Sequence, residues 1–569
     1  MKRTKKTLFE QLEINYSPYG IKLAEHKNKL DRHYDGDLKR FREELQANPY
    51  HVLVDICGMS FTYADNIIMR YHHAKPDAYC RCQYAVYAVL QKNEMEGNTR
   101  MTDAELARGV NEIAHQAMPH IVYIVKNDPL IHYEPSRHLV SFEQTYKDEL
   151  LIADHLIERV NRSQMTVSDL ANDVEKYRAT PGSDVELTDE QMSALRMVLE
   201  NDVCMVNGPA GSGKTSTTNA IIHMLEDMGV SYQLLAPTGI AAKMMRQYTG
   251  RPSMTCHMFL LNSWKPDYII LDEASICSVH LLAILLSQIG YEPKLVFIAD
   301  NAQLASIQCG SLVQNMIDSG LIPRVELTKI FRYNSSGIVT MATDIRHGIC
   351  NHLTTDFPDY LFVPEDENDP IGQVVEQYDQ LIADGYSIDD IVVLCPFNKR
   401  VGADAINAAI SAKYNPNEPV RKNSVIKLGD KVLNCKNNYH VDGKDDMIAN
   451  GDVGYLRSIE YDYMTKTNTV MVEFADGIKN VGSLSVLKQA YAMSTHKSQG
   501  SSAKAVIVLI DPMHGFMLSR NLLYTAVTRA RERLVVIGDV DTIRRGIKVE
   551  ENTQRNTWLK EMLDNYTTI

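Results

Sequence analysis

"VNGPAGSGKTSTTNA", residues 206–220, decides how the chain is read. Gly208-Pro-Ala-Gly-Ser-Gly213-Lys214-Thr215 matches G-x-x-x-x-G-K-[ST] in full. The run "VCMVN" before it reads as a buried strand, and the residues after it carry helical spacing. Strand, glycine-rich loop and helix are the context in which this pattern cradles phosphates. The glycines let backbone N–H groups wrap the anion, and the helix N-terminus adds positive potential. At ordinary composition the pattern arises by chance in about 2% of chains this long, so the flanking strand and helix settle the reading. A nucleoside triphosphate held here would lie against Pro209, Ala210, Gly211, Ser212, Gly213 and Ser216. Lys214 would reach its β- and γ-phosphates, and Thr215 would hold Mg²⁺. The loop does not say what hydrolysis drives, since kinases, switches, transporters and motors all use it.

Working outward, short apolar runs recur, each followed by a helical stretch: "VCMVN", "YQLLA", "YIILD" and "LVFIA". Fully apolar strands alternating with helices predict a parallel sheet covered on both faces. The theme returns in "IVVLC", "AVIVLI" and "LVVIG", which predicts a second α/β unit. Between these later strands lie "GDKVLNC", "GDVGYLRSIEYD", "NTVMVEFADG" and "KNVGSL", short strands joined by Gly/Asp/Asn turns. That segment, 425–488, reads as a small inserted β-barrel, with a hairpin extension of the parallel sheet as the alternative. Residues 20–170 are mostly of helical spacing, as in "CRCQYAVYAVLQKNEM", and "RATPGSDVE" (178–186) is a polar break carrying Pro and Gly. The expected divisions are a helical N-terminal domain (1–180), a first α/β domain (181–325), and a second one in two parts (326–424 and 489–569) around the insert.

The size, 569 residues, suits three or four domains, and 44% hydrophobic with 23% charged residues is ordinary globular composition. No run of about 18 apolar residues is present, so no membrane-spanning helix is expected. The basic start "MKRTKKTLFEQLE" meets an acidic residue where a signal peptide needs its apolar core. Ten scattered cysteines include no CxxC, and the nearest pair, Cys80 and Cys82, lacks metal spacing. These features predict a reduced, cytoplasmic protein without zinc. The net charge of −13 argues against a protein that coats nucleic acid through a broad basic face. A narrow basic channel remains compatible with it, because the local field governs binding.

Further motifs supply chemistry. "YIILDEAS" places Asp272 and Glu273 at the end of a buried strand, 57 residues after Thr215. The aspartate would complete the Mg²⁺ shell, and the glutamate would polarise the attacking water. "LVFIADNAQLASI" ends another strand with Asp300 and Gln303, and Gln303 is placed to sense the γ-phosphate. Arg332 in "LTKIFRYN" and Arg529 in "LLYTAVTRARERLVVIG" would put positive charge on the equatorial oxygens if the two α/β units face each other across the nucleotide; otherwise they are surface ion pairs. "AYAMSTHKSQGSSAKAVIV" gathers Thr495, His496, Lys497, Gln499 and Gly500 in one turn ahead of a strand, a ligand-facing arrangement.

These blocks, in this order, resemble the superfamily 1 helicases, and within them the RecD-like branch. The matching stretches are "LTDEQMSAL", "GPAGSGKTS", "LLAPTGIAAKMM", "MTCHMFL", "IILDEAS", "ADNAQLASI", "LTKIFRY", "VLCPFN", "GDKVLNCKNNY" with "IANGDVGYL", "YAMSTHKSQGSS" and "YTAVTRARERL", spanning roughly residues 187–540. "NPYHVLVDICGMSFTYADNII" (48–68) looks like the helix-hairpin-helix region ahead of the motor. Ser60 stands where the hairpin's second glycine is usual, so this segment reads either as a phosphate contact or as purely structural. The resemblance implies two RecA-like motor domains with ATP and Mg²⁺ between them, and an SH3-like barrel inserted in the second. It implies that Gln191 reads the adenine edge, that Gly500 joins the nucleotide site, and that Arg332 and Arg529 are arginine fingers. It further implies single-stranded DNA lying across both domains on Pro237, Thr238, Thr255, His257, Phe259, Pro396, Phe397, Asn398, Thr495 and His496, with Phe259 stacking on a base, and movement from 5′ to 3′. Forked or tailed duplexes would be substrates, and recombination or replication proteins would be partners.

Two departures from the family pattern bear on function. Only "MFLLNSWKPDYIIL" separates the "TCH" and "DEAS" blocks, too short for the long β-hairpin pin of many relatives. Ser502 stands where an acidic residue often follows "HKSQG", which points to different contacts with the nucleotide sugar. Three functions therefore compete: a 5′ to 3′ helicase, a single-strand translocase that remodels protein–DNA complexes with weak unwinding, and a non-catalytic DNA-binding subunit of a recombination complex.

Overall fold

The computed structural model describes residues 23–71, 75, 77–163, 174–178, 186–331, 336–421, 424–438, 448–462, 467–551 and 555–567. Arg332, the basic N-terminal stretch and most of "RATPGSDVE" lie outside the described residues. The chain forms two compact units. One is Met1–Glu149 with Gln308–Gly310 and Arg555–Trp558, and the other is Leu150–Ile307, Ser311–Gln554 and Leu559–Ile569.

The first unit is mainly helical but also holds a small antiparallel sheet, β1 (Met101–Thr102), β2 (Ile131–Glu134) and β3 (Leu139–Phe142), in the order β1-β3-β2. Its helix Tyr79–Met95 lays Cys82, Tyr84, Ala85, Val86 and Leu90 into a core shared with Phe41, Leu53, Phe61 and Leu106. The segment expected to resemble a helix-hairpin-helix contains a helical turn, His51–Ile56, then Gly58 at φ +72°, then the helix Phe61–Tyr71. Lys29 Nζ donates to the Cys57 carbonyl at 2.8 Å, so this hairpin carries an ammonium bonded to its backbone.

The second unit holds both parallel sheets. The first has β4 (Val203–Asn207), β5 (Tyr232–Ala236), β6 (Ser253–Thr255), β7 (Tyr268–Leu271), β8 (Lys294–Ala299) and β9 (Arg324–Glu326), ordered β6-β5-β7-β8-β4-β9. Every pairing in it is parallel. All residues of β4 and β7 are buried, as continuous apolar runs covered on both faces must be. Helix Glu143–Ser163 sends Ile152 and Leu156 into the core under this sheet, beside Ile269 and Phe297. Its second half therefore belongs to this unit, although the domain boundary was expected near 180.

The second parallel sheet comprises β10 (Tyr360–Pro364), β11 (Ile391–Cys395), β17 (Ala492–Ser494), β18 (Ala503–Ile510) and β19 (Ala530–Gly538), ordered β10-β19-β18-β11-β17. Between β11 and β17 the chain builds a separate antiparallel sheet. Its strands are β12 (Lys431–Asn434), β13 (Val453–Asp462), β14 (Thr467–Phe474), β15 (Gly477–Asn480) and β16 (Leu487–Gln489), ordered β15-β14-β13-β12-β16. It has its own core of Ile426, Val432, Leu456, Val470, Val472 and Phe474, so it is not an extension of the parallel sheet. Among the described residues no helix is long and apolar enough to cross a membrane, and all ten cysteines are free thiols.

Candidate nucleotide cleft and strand-end track

In parallel sheets ligands gather beyond the carboxyl ends of the strands. The P-loop follows β4, Thr238 follows β5, Asp272 follows β7, Asp300 follows β8, Phe397 follows β11 and His496 follows β17. One topological rule thus places nearly all the expected site residues.

The P-loop backbone depends on its glycines. Gly211 and Gly213 sit at φ +83° and +86°, where a side chain is strained. A Cβ on Gly208 would come within 2.7 Å of Ser212 Oγ and 3.0 Å of the Leu327 carbonyl. Helix Lys214–Asp227 starts at Gly213 and leaves Thr215 and Ser216 exposed at its first turn. Lys214 Nζ donates to the carbonyls of Gly208 (2.6 Å) and Pro209 (3.1 Å) and lies 3.6 Å from Asp300. Its ammonium is therefore held directly over the loop that would carry the phosphates.

A cavity of about 380 Å³ opens there, lined among others by Lys214, Thr215, Asp272, Glu273, Gln303 and Arg529. Gly500, at φ +74° and within 3.1 Å of Ala241 if it carried a Cβ, also lines it, as does Ser502. Both carboxyls are partly buried in the wall of this cavity. Burial pushes the Asp272 carboxyl above the usual carboxylate range, against the pull of Tyr248 and Lys214. Glu273 is raised by burial and by Asp272, and Arg529 and Lys214 only partly offset this. Tyr248 donates its hydroxyl proton to Asp272, which in turn accepts from the Glu273 N–H at 2.8 Å. Glu273 sits at φ +51°, unusual for a non-glycine residue, in the turn that follows β7.

Side chains from the two parallel sheets meet in this cleft. Asp300 Oδ2 accepts from Gln303 Nε2 at 3.2 Å and from the Tyr524 hydroxyl at 3.0 Å. Gln303 Oε1 accepts from Arg529 Nη2 at 3.0 Å, and Arg529 also donates to the carbonyls of Thr525 and Ser501. A continuous polar chain, Lys214–Asp300–Gln303–Arg529, therefore joins the P-loop to the end of helix Arg520–Val527. Tyr524 makes a second link, because its hydroxyl accepts from the Ala210 N–H at 3.1 Å. Another cavity, of about 320 Å³, shares Pro209, Ala210 and Thr528 with the first. It is lined largely by apolar side chains such as Ile330, Ile338 and Val339 and lacks the paired carboxylates of the first.

Several expected assignments are corrected. Phe259 is 1% exposed and packs with Cys256, Ile269, Leu271 and Phe297, so it fills the core and stacks on no base. Thr255 and Thr495 are buried too. The Thr255 hydroxyl caps helix Cys256–Phe259 by accepting from the Met258 N–H, and the Thr495 hydroxyl donates to the Cys395 carbonyl at 3.5 Å. Pro396 is buried as well. Gln191 is 3% exposed. Its Oε1 accepts from the Thr188 N–H in a capping box, and its Nε2 donates to the Gly213 carbonyl, so its amide braces the P-loop. The track that stays accessible comprises Pro237, Thr238, His257, Phe397, Asn398 and His496.

Sequence reasoning missed Tyr248, Tyr524 and Phe331. Phe331 is half exposed, its N–H donates to the Gly211 carbonyl, and its ring stands 3.3 Å from where a Gly213 Cβ would be. Its place immediately before Arg332 was the one signal available.

Residues 186–356 match the AAA domain family, 489–537 the UvrD-like helicase C-terminal domain, and 5–100 the ATP-dependent RecD2 DNA helicase HHH domain. The chain is 28% identical over 394 residues to the ATP-dependent RecD2 DNA helicase of Deinococcus radiodurans, covering 66% of this chain and 52% of that one, so it spans about half that relative's length. It is 26% identical over 440 residues to the RecBCD enzyme subunit RecD of Mycolicibacterium smegmatis, covering 66% and 75%. A crystal structure of a Pif1 helicase from Bacteroides with ADP-AlF3 and ssDNA superposes at a TM-score of 0.43 and 18% identity, over 68% of this chain and 98% of that one, too low for anything to be drawn from it. By these matches and the ordered motifs around its P-loop, the chain is similar to the RecD-like DNA helicases.

Proposed function

We propose that the chain is an ATP-driven motor that moves 5′ to 3′ along single-stranded DNA and unwinds forked or tailed duplexes. The observation that carries this reading is the polar chain from Lys214 through Asp300 and Gln303 to Arg529. It ties the phosphate loop on one sheet to a guanidinium on the other, so events at the γ-phosphate bear on how the sheets sit together. Mg²⁺ suits the pair Thr215 and Asp272, which line one cavity and supply the hard oxygen donors it prefers. No trio of metal-ligating His, Cys, Asp or Glu side chains gathers among the described residues, in keeping with an ion whose remaining ligands are phosphates and water. When bound, that ion would neutralise charge on the phosphates. Glu273 would take the proton of the attacking water, and Arg529, joined by Arg332, would stabilise the equatorial oxygens. The antiparallel insert is read as an SH3-like barrel. We read its work as recombination, replication or repair, beside relatives named a RecD2 DNA helicase and a RecBCD enzyme subunit.

The test is ATP turnover by Arg529→Ala in the presence of single-stranded DNA. Loss of turnover with nucleotide binding retained is the expected result, and full turnover would remove the arginine from the mechanism.

A second reading, a translocase that displaces proteins and unwinds poorly, rests on the connection from helix Cys256–Phe259 to β7. Only residues 260–267 lie between them, with no strand. Unwinding of a forked duplex measured beside displacement of streptavidin from a biotinylated strand separates the two. Brisk displacement without unwinding favours the second.

A further inference from the structure

The turn that follows β18, Pro512–Met517, carries a phenylalanine outside all the motifs above. Phe516 is 78% exposed and does not stand alone, since it is paired with a second aromatic. Its ring meets that of Phe397 edge to face, with centroids 6.3 Å apart. The two belong to neighbouring strand ends, since β18 and β11 pair directly and β11 pairs with β17. In the order β18-β11-β17 the loops thus present Phe516, Phe397 and His496, on strands spaced about 4.8 Å apart. Exposed Lys399 and Arg400 follow Phe397 directly.

The turn is also held rigid. His514 is buried, with Nδ1 accepting from the Asp511 N–H and Nε2 facing the Val401 carbonyl at 2.6 Å. Those two partners require Nε2 to carry the proton and Nδ1 to have none. Burial lowers the pKa of His514, in keeping with that neutral form. Asp511 caps the turn through the Met513 N–H. A fixed aromatic, edge-on to a second one whose chain is followed by two exposed cations, is the composition of a single-strand platform, where rings stack on bases and cations meet phosphates.

We infer that Phe516 and Phe397 form a stacking platform for unpaired DNA bases, with Phe516 extending the track one strand beyond the expected contacts. The inference rests on the single-stranded DNA reading above. It is tested with the full chain and fluorescein-labelled oligo-dT, by anisotropy. Phe516→Ala weakens binding on the order of tenfold, Phe516→Trp binds as the unsubstituted chain does, and both melt at the same temperature as it does. On an oligonucleotide of abasic sites the difference between the unsubstituted chain and Phe516→Ala disappears, because no base remains to stack. Equal affinity of Phe516→Ala and the unsubstituted chain for oligo-dT, or an equal loss on the abasic strand, overturns the platform while leaving the motor reading intact. Failure of the unsubstituted chain to bind any single strand overturns both.

Discussion

The guanidinium of Arg529 is bonded to Gln303 and to two carbonyls at once, a geometry only a planar fork satisfies. Arg529→Ala is expected to lower ATP turnover by roughly 10³-fold or more, and Arg529→Lys is expected to restore little of it, because an ammonium cannot span these partners. Single-turnover hydrolysis beside binding of a non-hydrolysable analogue checks this. Glu273 gives a prediction with a definite sign in pH. Its folded-state pKa is raised by burial and by Asp272, so ionising it opposes folding. That penalty is absent below the ordinary carboxylate range and grows as pH rises through the raised value. Glu273→Gln should therefore melt higher than the unsubstituted chain at neutral and alkaline pH, with the gain vanishing in acid. An equal melting temperature at every pH would show that the carboxyl is not strained by its surroundings. The acid limb of the hydrolysis profile should likewise lie above the range of an exposed glutamate, because the base must be deprotonated to act.

At the scale of elements, the P-loop and the helix behind it form one device braced from the side by Gln191. Gly213→Ala would place a Cβ 2.5 Å from Gln191 Nε2 in a left-handed backbone, at about 1–2 kcal/mol for the backbone alone. Loss of nucleotide binding by calorimetry, with secondary structure retained, is the expected outcome. The parallel strands were legible because buried strands are written as continuous apolar runs, as "VCMVN" and "YIILD" show. The separate sheet of the insert was legible from its Gly/Asp/Asn turns. The three-stranded sheet of the first unit was not, since β1 is two residues long and β2 and β3 four each. Phe259 was misread because its motif fixes a position along the chain but not which face of a four-residue helix it occupies. Gln191 was misread for a related reason: a Thr-x-x-Gln box commits the amide locally before any ligand competes. Tyr524 and Phe331 escaped notice because their partners are distant in sequence. The Tyr524 hydroxyl meets the N–H of Ala210, 314 residues away, and no local pattern encodes such a contact.

At the scale of the whole molecule, the acidic total of −13 coexists with a track whose cations are local, Lys399 and Arg400 beside Phe397. Binding to single strands should therefore fall steeply with salt, while steering at long range stays weak. The short connection before Asp272 carries Leu261 (76% exposed) and Trp264 (48% exposed) and no strand. If the molecule separates duplexes by itself, these are the exposed apolar side chains of the segment in which a pin would sit. Trp264→Ala should then reduce fork unwinding while leaving translocation-driven streptavidin displacement unchanged. Equal loss of both activities would instead make Trp264 part of the motor. The central claim is that phosphate chemistry at Lys214 is coupled across the cleft to a DNA track on both sheets. The measurement that tests it most directly is the rate of ATP hydrolysis by the full chain with and without oligo-dT, run beside Lys214→Ala and Arg529→Ala. A strong stimulation by DNA that both substitutions abolish is the predicted result, and a rate indifferent to DNA, or stimulation that survives in Lys214→Ala, would contradict it.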